Sequence, residues 1–273
     1  MIVERAAARL AEYGVETPRV DAEWIVAHAL GVTRSELVAL TREVDDTAVW
    51  PLVERRALRE PLAYVLGEWG FRRLTLRCDA RALVPRPETE IVVERCLELL
   101  RRSVSGSAPR RRPRVLDVGT GSGAIALALA DEAGADVVAL DASGDALALA
   151  RANAERLGLA VELVHGDLRD GLPAGPFDLV VSNPPYVRAD ELDALEPEVR
   201  EWEPRSALVD EGQTEALARA ALTVLAREAS LVLEIHEERA DEITVLLRAA
   251  GYRGVTTTRD LARRERVVEG KKP

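Results

Sequence analysis

The chain has 273 residues, a net charge of −10 and an apolar content of 47%, ordinary for a globular protein. That length accommodates one sizeable core with a smaller domain beside it, and the negative charge argues against a general duplex-DNA binder, whose affinity comes from cations set against phosphates. No apolar run approaches the ~20 residues of a membrane span. The start, Met1-Ile2-Val3-Glu4-Arg5, lacks a basic region followed by an apolar one, and two distant cysteines, Cys78 and Cys96, suit neither a metal knuckle nor a redox pair. The expectation is a reduced cytoplasmic setting, with no membrane partner and no resident metal.

Residues 4 to about 75 read as helical. Ala6, Ala7, Leu10 and Tyr13 recur at helical spacing, with Gly14 as a stop. Asp21 is the expected cap of a second helix, which runs through Trp24, Ile25, Ala27, His28 and Leu30 to Gly31. His28, on an apolar stretch, is expected to be a buried or half-buried structural residue. Ser35–Leu40 and Val49–Arg59 are further helical candidates. Alternation at Leu74, Leu76 and Cys78 then predicts a short strand or hairpin.

Next comes Leu83-Val84-Pro85-Arg86-Pro87-Glu88-Thr89-Glu90, stiffened by two prolines. It opens a helix over about 88–101, whose early Glu88 and Glu90 suit the helix dipole. Two roles are open for it: a plain helix start, or a stiff segment lying over the mouth of the next domain. Ser103–Pro109 reads as a linker, and the basic run Arg110-Arg111-Arg112 with Arg114 as a solvated loop.

From Arg114 strands and helices alternate, the mark of a parallel sheet. Strands are expected at 115–118, 136–140, 161–165, 177–182 and 231–235, with two more over 254–268. Helices are expected at 124–130, 146–157, 214–225 and 240–250. Asp117-Val118-Gly119-Thr120-Gly121-Ser122-Gly123 joins the first of these strands to its helix. Its glycines allow a tight turn and close approach of a ligand. The third glycine comes one residue too early for a dinucleotide loop, and an acidic residue opens the motif. Asp141 closes the next strand, where it can hold a ribose diol. Asp167 is placed to take an adenine amino group and Leu168 to pack on the ring. Gly119, Thr120, Gly121, Ser122, Gly123, Asp141, Asp167 and Leu168 therefore form a candidate S-adenosylmethionine site.

The 177–182 strand ends in Asn183-Pro184-Pro185-Tyr186. Open α/β sheets carry ligands at such strand ends. The prolines hold the local carbonyls stiffly, Asn183 carries an acceptor and a donor pair, and Tyr186 offers a flat face. The arrangement suits a planar N–H₂ group. Asn183, Pro184, Pro185 and Tyr186 are the candidate substrate residues, with Asn183, Pro184 and Tyr186 acting in the reaction and Asn183 also bordering the cofactor. His165 and His236 are assigned structural roles.

On Glu60-Pro61-Leu62 with Gly67, Val84 to Glu90, Asp117 to Gly123, Asn183 to Val187, and Glu203-Pro204 with Ala207-Leu208, the chain resembles the HemK-like glutamine N5-methyltransferases that modify class-1 peptide chain release factors. The resemblance implies a helical N-terminal domain (1–75) that helps dock the release factor, a hairpin or linker (76–90), and a Rossmann-like, seven-stranded methyltransferase domain (91–273). It implies S-adenosylmethionine as cofactor, the glutamine of a Gly-Gly-Gln loop as target, and no stable nucleic-acid partner. A ribosomal-protein glutamine methyltransferase, an adenine-N6 DNA methyltransferase and a non-catalytic cofactor-binding module are the competing readings. The chain departs from the family pattern at Val209–Gln213, at His236 and Arg239, and at Arg263, where a glycine is usual.

Overall fold

The computed structural model describes residues 2–38, 47–103 and 111–273. Helices α1 (Ile2–Glu12), α2 (Pro18–Leu30), α3 (Arg34–Val38), α4 (Trp50–Ala57) and α5 (Leu62–Leu66) form the N-terminal region. Their apolar faces meet at Ala6, Leu10, Ile25, Val26 and Val53. Residues 39 and 40 of the expected third helix lie outside the described residues, as does the expected linker from 104 on, together with Arg110.

Two expectations fail in this region. Asp21 is not a cap: α2 starts three residues earlier, at Pro18, whose fixed φ suits a first helical turn. Asp21 is instead buried in an ion pair, accepting from Arg56 Nε at 2.7 Å. His28 is exposed on the outer face of α2.

Strands β1 (Glu68–Phe71) and β2 (Leu74–Arg77) form an antiparallel hairpin, Trp69 opposite Leu76. Helix α6 (Pro87–Ser103) follows. Arg72 at the hairpin turn fastens the hairpin to α6 and to the later helix that carries Glu132. Its guanidinium reaches Glu132, Glu94 and the Glu90 carbonyl.

The remaining elements are β3 (Arg114–Val118), α7 (Ala124–Ala133), β4 (Asp136–Asp141), α8 (Gly144–Leu157), β5 (Glu162–His165), β6 (Phe177–Ser182), α9 (Pro197–Trp202), α10 (Arg205–Leu208), α11 (Gln213–Val224), β7 (Leu225–Glu234), α12 (Ala240–Ala250), β8 (Arg253–Arg259) and β9 (Glu265–Lys271). They build one seven-stranded sheet in the order β5-β4-β3-β6-β7-β9-β8. β9 runs antiparallel to both neighbours and the other pairings are parallel. Both faces are covered, so the central strands are apolar on both sides. Val115, Leu179 and Val181 point to α6 and α7. Leu116, Val180 and Leu231 point to α11 and α12.

β7 starts six residues before the expected strand. Its first six residues include Arg227, Glu228 and Ser230, and its pairing with β6 shifts register between Phe177 and Leu179. Polar residues at an irregular sheet end hide the period that marks a strand. α9 and α10 are also absent from the sequence reading; both are shorter than two turns, too short to show periodicity. Among the described residues of the basic run, Arg111 pairs with Asp178 at 2.5 Å and Arg112 lies 3.6 Å from Asp136. No helix among the described residues is long and apolar enough to cross a membrane.

Candidate active site

The chain order reverses between β3 and β6. β3 continues to β4 on one side, and β6 begins the other half of the sheet. Two neighbouring strands whose connections leave in opposite directions open a crevice beyond their carboxyl ends. The glycine loop leaves β3 there and Asn183 leaves β6 there. Ser182 Oγ donates to the Val118 carbonyl at 2.6 Å, which locks the two strand ends together.

A cavity of about 550 Å³ occupies this crevice. Gly119, Thr120, Gly121 and Ser122 line one side, Asp141, Asp167 and Leu168 a second, and Asn183, Pro184 and Pro185 a third. Two of the expected site residues stand apart from it. Gly123 has φ 84° and begins α7; a Cβ there would lie 3.1 Å from Leu127 and 3.3 Å from Ala150, so its smallness serves helix packing. Tyr186 is largely buried, its ring centroid 6.2 Å from that of His236. Burial pushes its hydroxyl up to about 12.

Gly119 and Gly121 take φ of 72° and 57°, which only glycine adopts without strain. The loop is pinned from outside. Gly119 and Thr120 N–H donate to the Leu140 carbonyl, and Gly121 N–H donates to Asp141 Oδ2 at 2.8 Å. Asp141 Oδ1 accepts from Ser143 N–H at 2.8 Å. Burial raises the Asp141 carboxyl, and these N–H groups oppose the rise. Each of its oxygens keeps a lone pair, enough for a vicinal diol. Asp167 caps a short turn: Oδ1 accepts from Arg169 N–H at 2.8 Å, and Oδ2 lies 3.9 Å from the Arg169 guanidinium.

Asp117 lies fully buried beneath the loop. Thr120 Oγ1 donates to its Oδ2 at 2.7 Å, while Oδ1 has no partner. Burial pushes this carboxyl up to about 7. The residues therefore fit S-adenosylmethionine: a carboxylate at the cavity wall with lone pairs for a diol, and an open glycine cradle with nothing within 4 Å of a Cβ at Gly119. Asp141, Asp167, Leu168 and the loop from Gly119 to Ser122 would hold it.

The proline-rich segment settles into the second of its two roles. Leu83, Val84, Pro85, Arg86 and Thr89 line the cavity. Glu203, buried between α9 and α10, fixes them: its carboxylate accepts from Val84 N–H at 3.1 Å and from Arg86 at 2.7 and 2.8 Å. Burial raises Glu203, and Arg86 acts against that rise. Thr89 Oγ1 accepts from Asn183 Nδ2 at 3.3 Å. The sequence reading passed over Thr89 and Glu203 as site residues. Their link is a contact over 94 residues of chain in one case and 117 in the other, which no local pattern carries.

The late departures also have places. Asp210 accepts from Gly212 and Gln213 N–H and pairs with Arg239 at 2.5 Å, which ties the start of α11 to α12. Arg263 has φ 64°, the left-handed conformation that accounts for the glycine usual there.

The first 67 residues match the PrmC N-terminal domain over residues 2–67, and the catalytic half matches the Methyltransferase small domain over residues 97–232. A release factor glutamine methyltransferase of Deinococcus radiodurans is 43% identical, over 99% of this chain and 97% of its own. One from Caulobacter vibrioides is 41% identical, over 97% of this chain and 93% of its own. The chain belongs to the release factor glutamine methyltransferase family. At the level of fold, a methyltransferase structure from Pyrococcus furiosus superimposes with a TM-score of 0.53 at 19% identity, over 73% of this chain and 89% of that one. The hMettl16 catalytic domain, solved with an RNA hairpin, gives 0.58 at 18% identity, over 81% and 82%. The family's methyltransferase fold is thus present in full: seven strands, a crevice at the strand-order reversal, and the glycine loop and Asn-Pro-Pro-Tyr segment facing each other across it.

Proposed function

We propose that this chain transfers a methyl group from S-adenosylmethionine to the side-chain N5 of the glutamine in the Gly-Gly-Gln loop of class-1 peptide chain release factors. The observation that carries the reading is that one cavity is bordered by both the Gly119–Ser122 loop with Asp141 and the Asn183-Pro184 corner. Family membership supports the substrate. The same reading places the enzyme in the cytoplasm, without a stable nucleic-acid partner, and gives residues 1–75 the task of docking the release factor.

An amide nitrogen is a weak nucleophile because its lone pair is delocalised into the carbonyl. When bound, S-adenosylmethionine supplies an electrophilic sulfonium methyl group. The chain's part is positioning. Asn183 Oδ1 and the Pro184 carbonyl each accept one amide hydrogen, which fixes the plane of the glutamine and favours the positive charge that grows on nitrogen. Pro184 is buried and the following Pro185 restricts its ψ, which holds that carbonyl in place. Tyr186, whose ring lies beside His236 outside the cavity, is given no contact with the amide. No side-chain base is needed, because the methylated amide nitrogen is acidic enough to shed its proton to water.

The test is transfer of labelled methyl to a purified release factor and to its Gln→Ala loop variant, with an adenine-containing oligonucleotide alongside. Label on the first alone is the expected result; label on the oligonucleotide, or equal label on both proteins, overturns the reading. In the same assay Asn183→Ala should lower kcat by roughly 10² or more.

A further inference from the structure

One cation in the cavity wall has no part in the mechanism above. Arg86 lines the cavity, within the stiff segment that covers it. Its backbone is restrained from both sides: Pro85 before it has a locked φ, and Pro87 after it restricts the ψ of Arg86. Its side chain is anchored from behind. Glu203, whose side chain is fully buried, accepts from Arg86 Nη2 with both oxygens, at 2.8 and 2.7 Å. That anchor uses one nitrogen of the three. Nε and Nη1 make no hydrogen bond with any of the described residues, and the side chain is 34% exposed. The guanidinium is therefore fixed in place with donors to spare.

The position of Arg86 along the cavity can be read from its neighbours. Thr89, three residues on, accepts from Asn183 Nδ2 at 3.3 Å. The Arg86 charge also reaches Tyr186, in the loop after β6. At the other end of the same segment Ala82 stands over the glycine loop, 3.7 Å from where a Cβ on Gly121 would lie. Arg86 thus belongs to the Asn183 end of the cavity, and Ala82 to the cofactor end.

We propose that Arg86 grips the main chain of the substrate, its unused N–H groups donating to carbonyl oxygens of the glycine pair that precedes the target glutamine. The inference deepens the function proposed above and rests on it. A Gly-Gly stretch has no side chains by which to be recognised. It presents only carbonyl acceptors and N–H donors, and no Cβ keeps another group away from them. A guanidinium carries several donors in one rigid plane, and bonds from a cation are stronger than those between neutral groups. Because Glu203 and the two prolines already fix this one, little freedom is lost when the loop arrives. The carboxylate of the cofactor is the other acceptor that a guanidinium could serve. The place of Arg86 beside Asn183, away from the glycine loop, favours the peptide.

The experiment measures KM and kcat for a release factor, and cofactor affinity by calorimetry, in wild type, Arg86→Lys and the double variant Arg86→Met/Glu203→Gln. Glu203→Gln still accepts from Val84 N–H and leaves no buried charge without its partner. Acetyl-Gly-Gly-Gln-amide and acetyl-Gln-amide are tested in turn as competitors of the factor. In the double variant KM for the factor should rise about tenfold, with cofactor affinity unchanged within about threefold. Arg86→Lys keeps a cation beside Glu203 but lacks the planar fork, and should raise KM by about threefold or more. The tripeptide should inhibit wild type about tenfold more strongly than the acetylated glutamine, and the double variant should lose that preference. An unchanged KM in both variants would overturn the inference. So would equal effects of the two competitors on wild type, including no inhibition by either. A fall in cofactor affinity that matches the rise in KM would overturn it too, since a loosened cover or a carboxylate-binding Arg86 would give that result. A wild type that labels no release factor at all would instead overturn the proposed function. If the double variant fails to fold, Arg86→Lys and the two competitors on wild type decide.

Discussion

At the scale of single residues, the site is a set of buried carboxylates with incomplete partners. Asp117 and Glu234 each keep one oxygen unpaired in the core, and each is pushed up to about 7 by burial. Such groups disfavour the folded state whenever they are ionised. For Glu234 the carboxyl rises from 4.5 to about 7, so its contribution to stability is fully present below about pH 4.5 and is lost as pH climbs through 7. Glu234→Gln removes that loss. Relative to wild type the variant should gain up to roughly 3 kcal/mol between acid and mildly alkaline pH, read from urea unfolding at each pH. A constant difference across that range would show that Glu234 is ionised in neither state or in both.

At the scale of elements, the glycine loop divides its work. Gly119 and Gly121 face the cavity in left-handed conformations, and nothing stands within 4 Å of a Cβ at Gly119. Gly123 instead lets α7 start against α8, because a Cβ would press on Leu127 and Ala150 at 3.1 and 3.3 Å. The three glycines read alike in sequence and differ in cause. Gly119→Ala should cost about 1 kcal/mol, from backbone strain alone. Gly123→Ala adds overpacking against a helix that cannot withdraw, for a total of about 2–3 kcal/mol. Thermal melts of both variants test this, and equal shifts would refute the division. The proline segment follows a similar rule. Its stiffness is local and visible in the sequence, but what it leans on is Glu203, supplied by a distant loop.

At the scale of the whole molecule, the helical region is bolted to the loop that carries the site. Arg59, just beyond α4, pairs with Glu198 of α9 at 2.6 Å, and Arg56 reaches the same carboxylate at 2.8 Å while also holding Asp21. Burial pushes Glu198 up, but the two guanidiniums outweigh it and hold the carboxyl below its ordinary range. α9 lies between Asn183 and Glu203 in the chain, so these ion pairs join the helical region to the segment between two residues that line or brace the cavity. Glu198→Ala leaves Arg56 to Asp21 alone and removes the partner of Arg59, and should destabilise the fold by about 1–2 kcal/mol. If the helical region docks the release factor, the variant should also lose more kcat/KM on the intact factor than on a short Gly-Gly-Gln peptide. Equal losses on the two substrates would separate the helical region from substrate capture.

Much of this protein was legible before any coordinates. The alternation of apolar runs with helical periods, the turn residues at strand ends, and the two motifs at the carboxyl ends of their strands depend on neighbours a few residues apart, and local physics writes those into the chain. The strands of the parallel sheet are apolar for a further reason, burial on both faces, which a run such as Phe177–Ser182 records directly. What the tertiary structure alone decided is which residues meet across long separations. Asp21 found Arg56 rather than a helix end, Thr89 found Asn183, and Glu203 found Arg86. None of these pairs has a periodicity, and the free energy of each depends on burial that exists only once the sheet has closed over it. The glycine loop and the Asn183-Pro184 corner could therefore be placed at their strand ends from sequence, while the distant residues they meet could not.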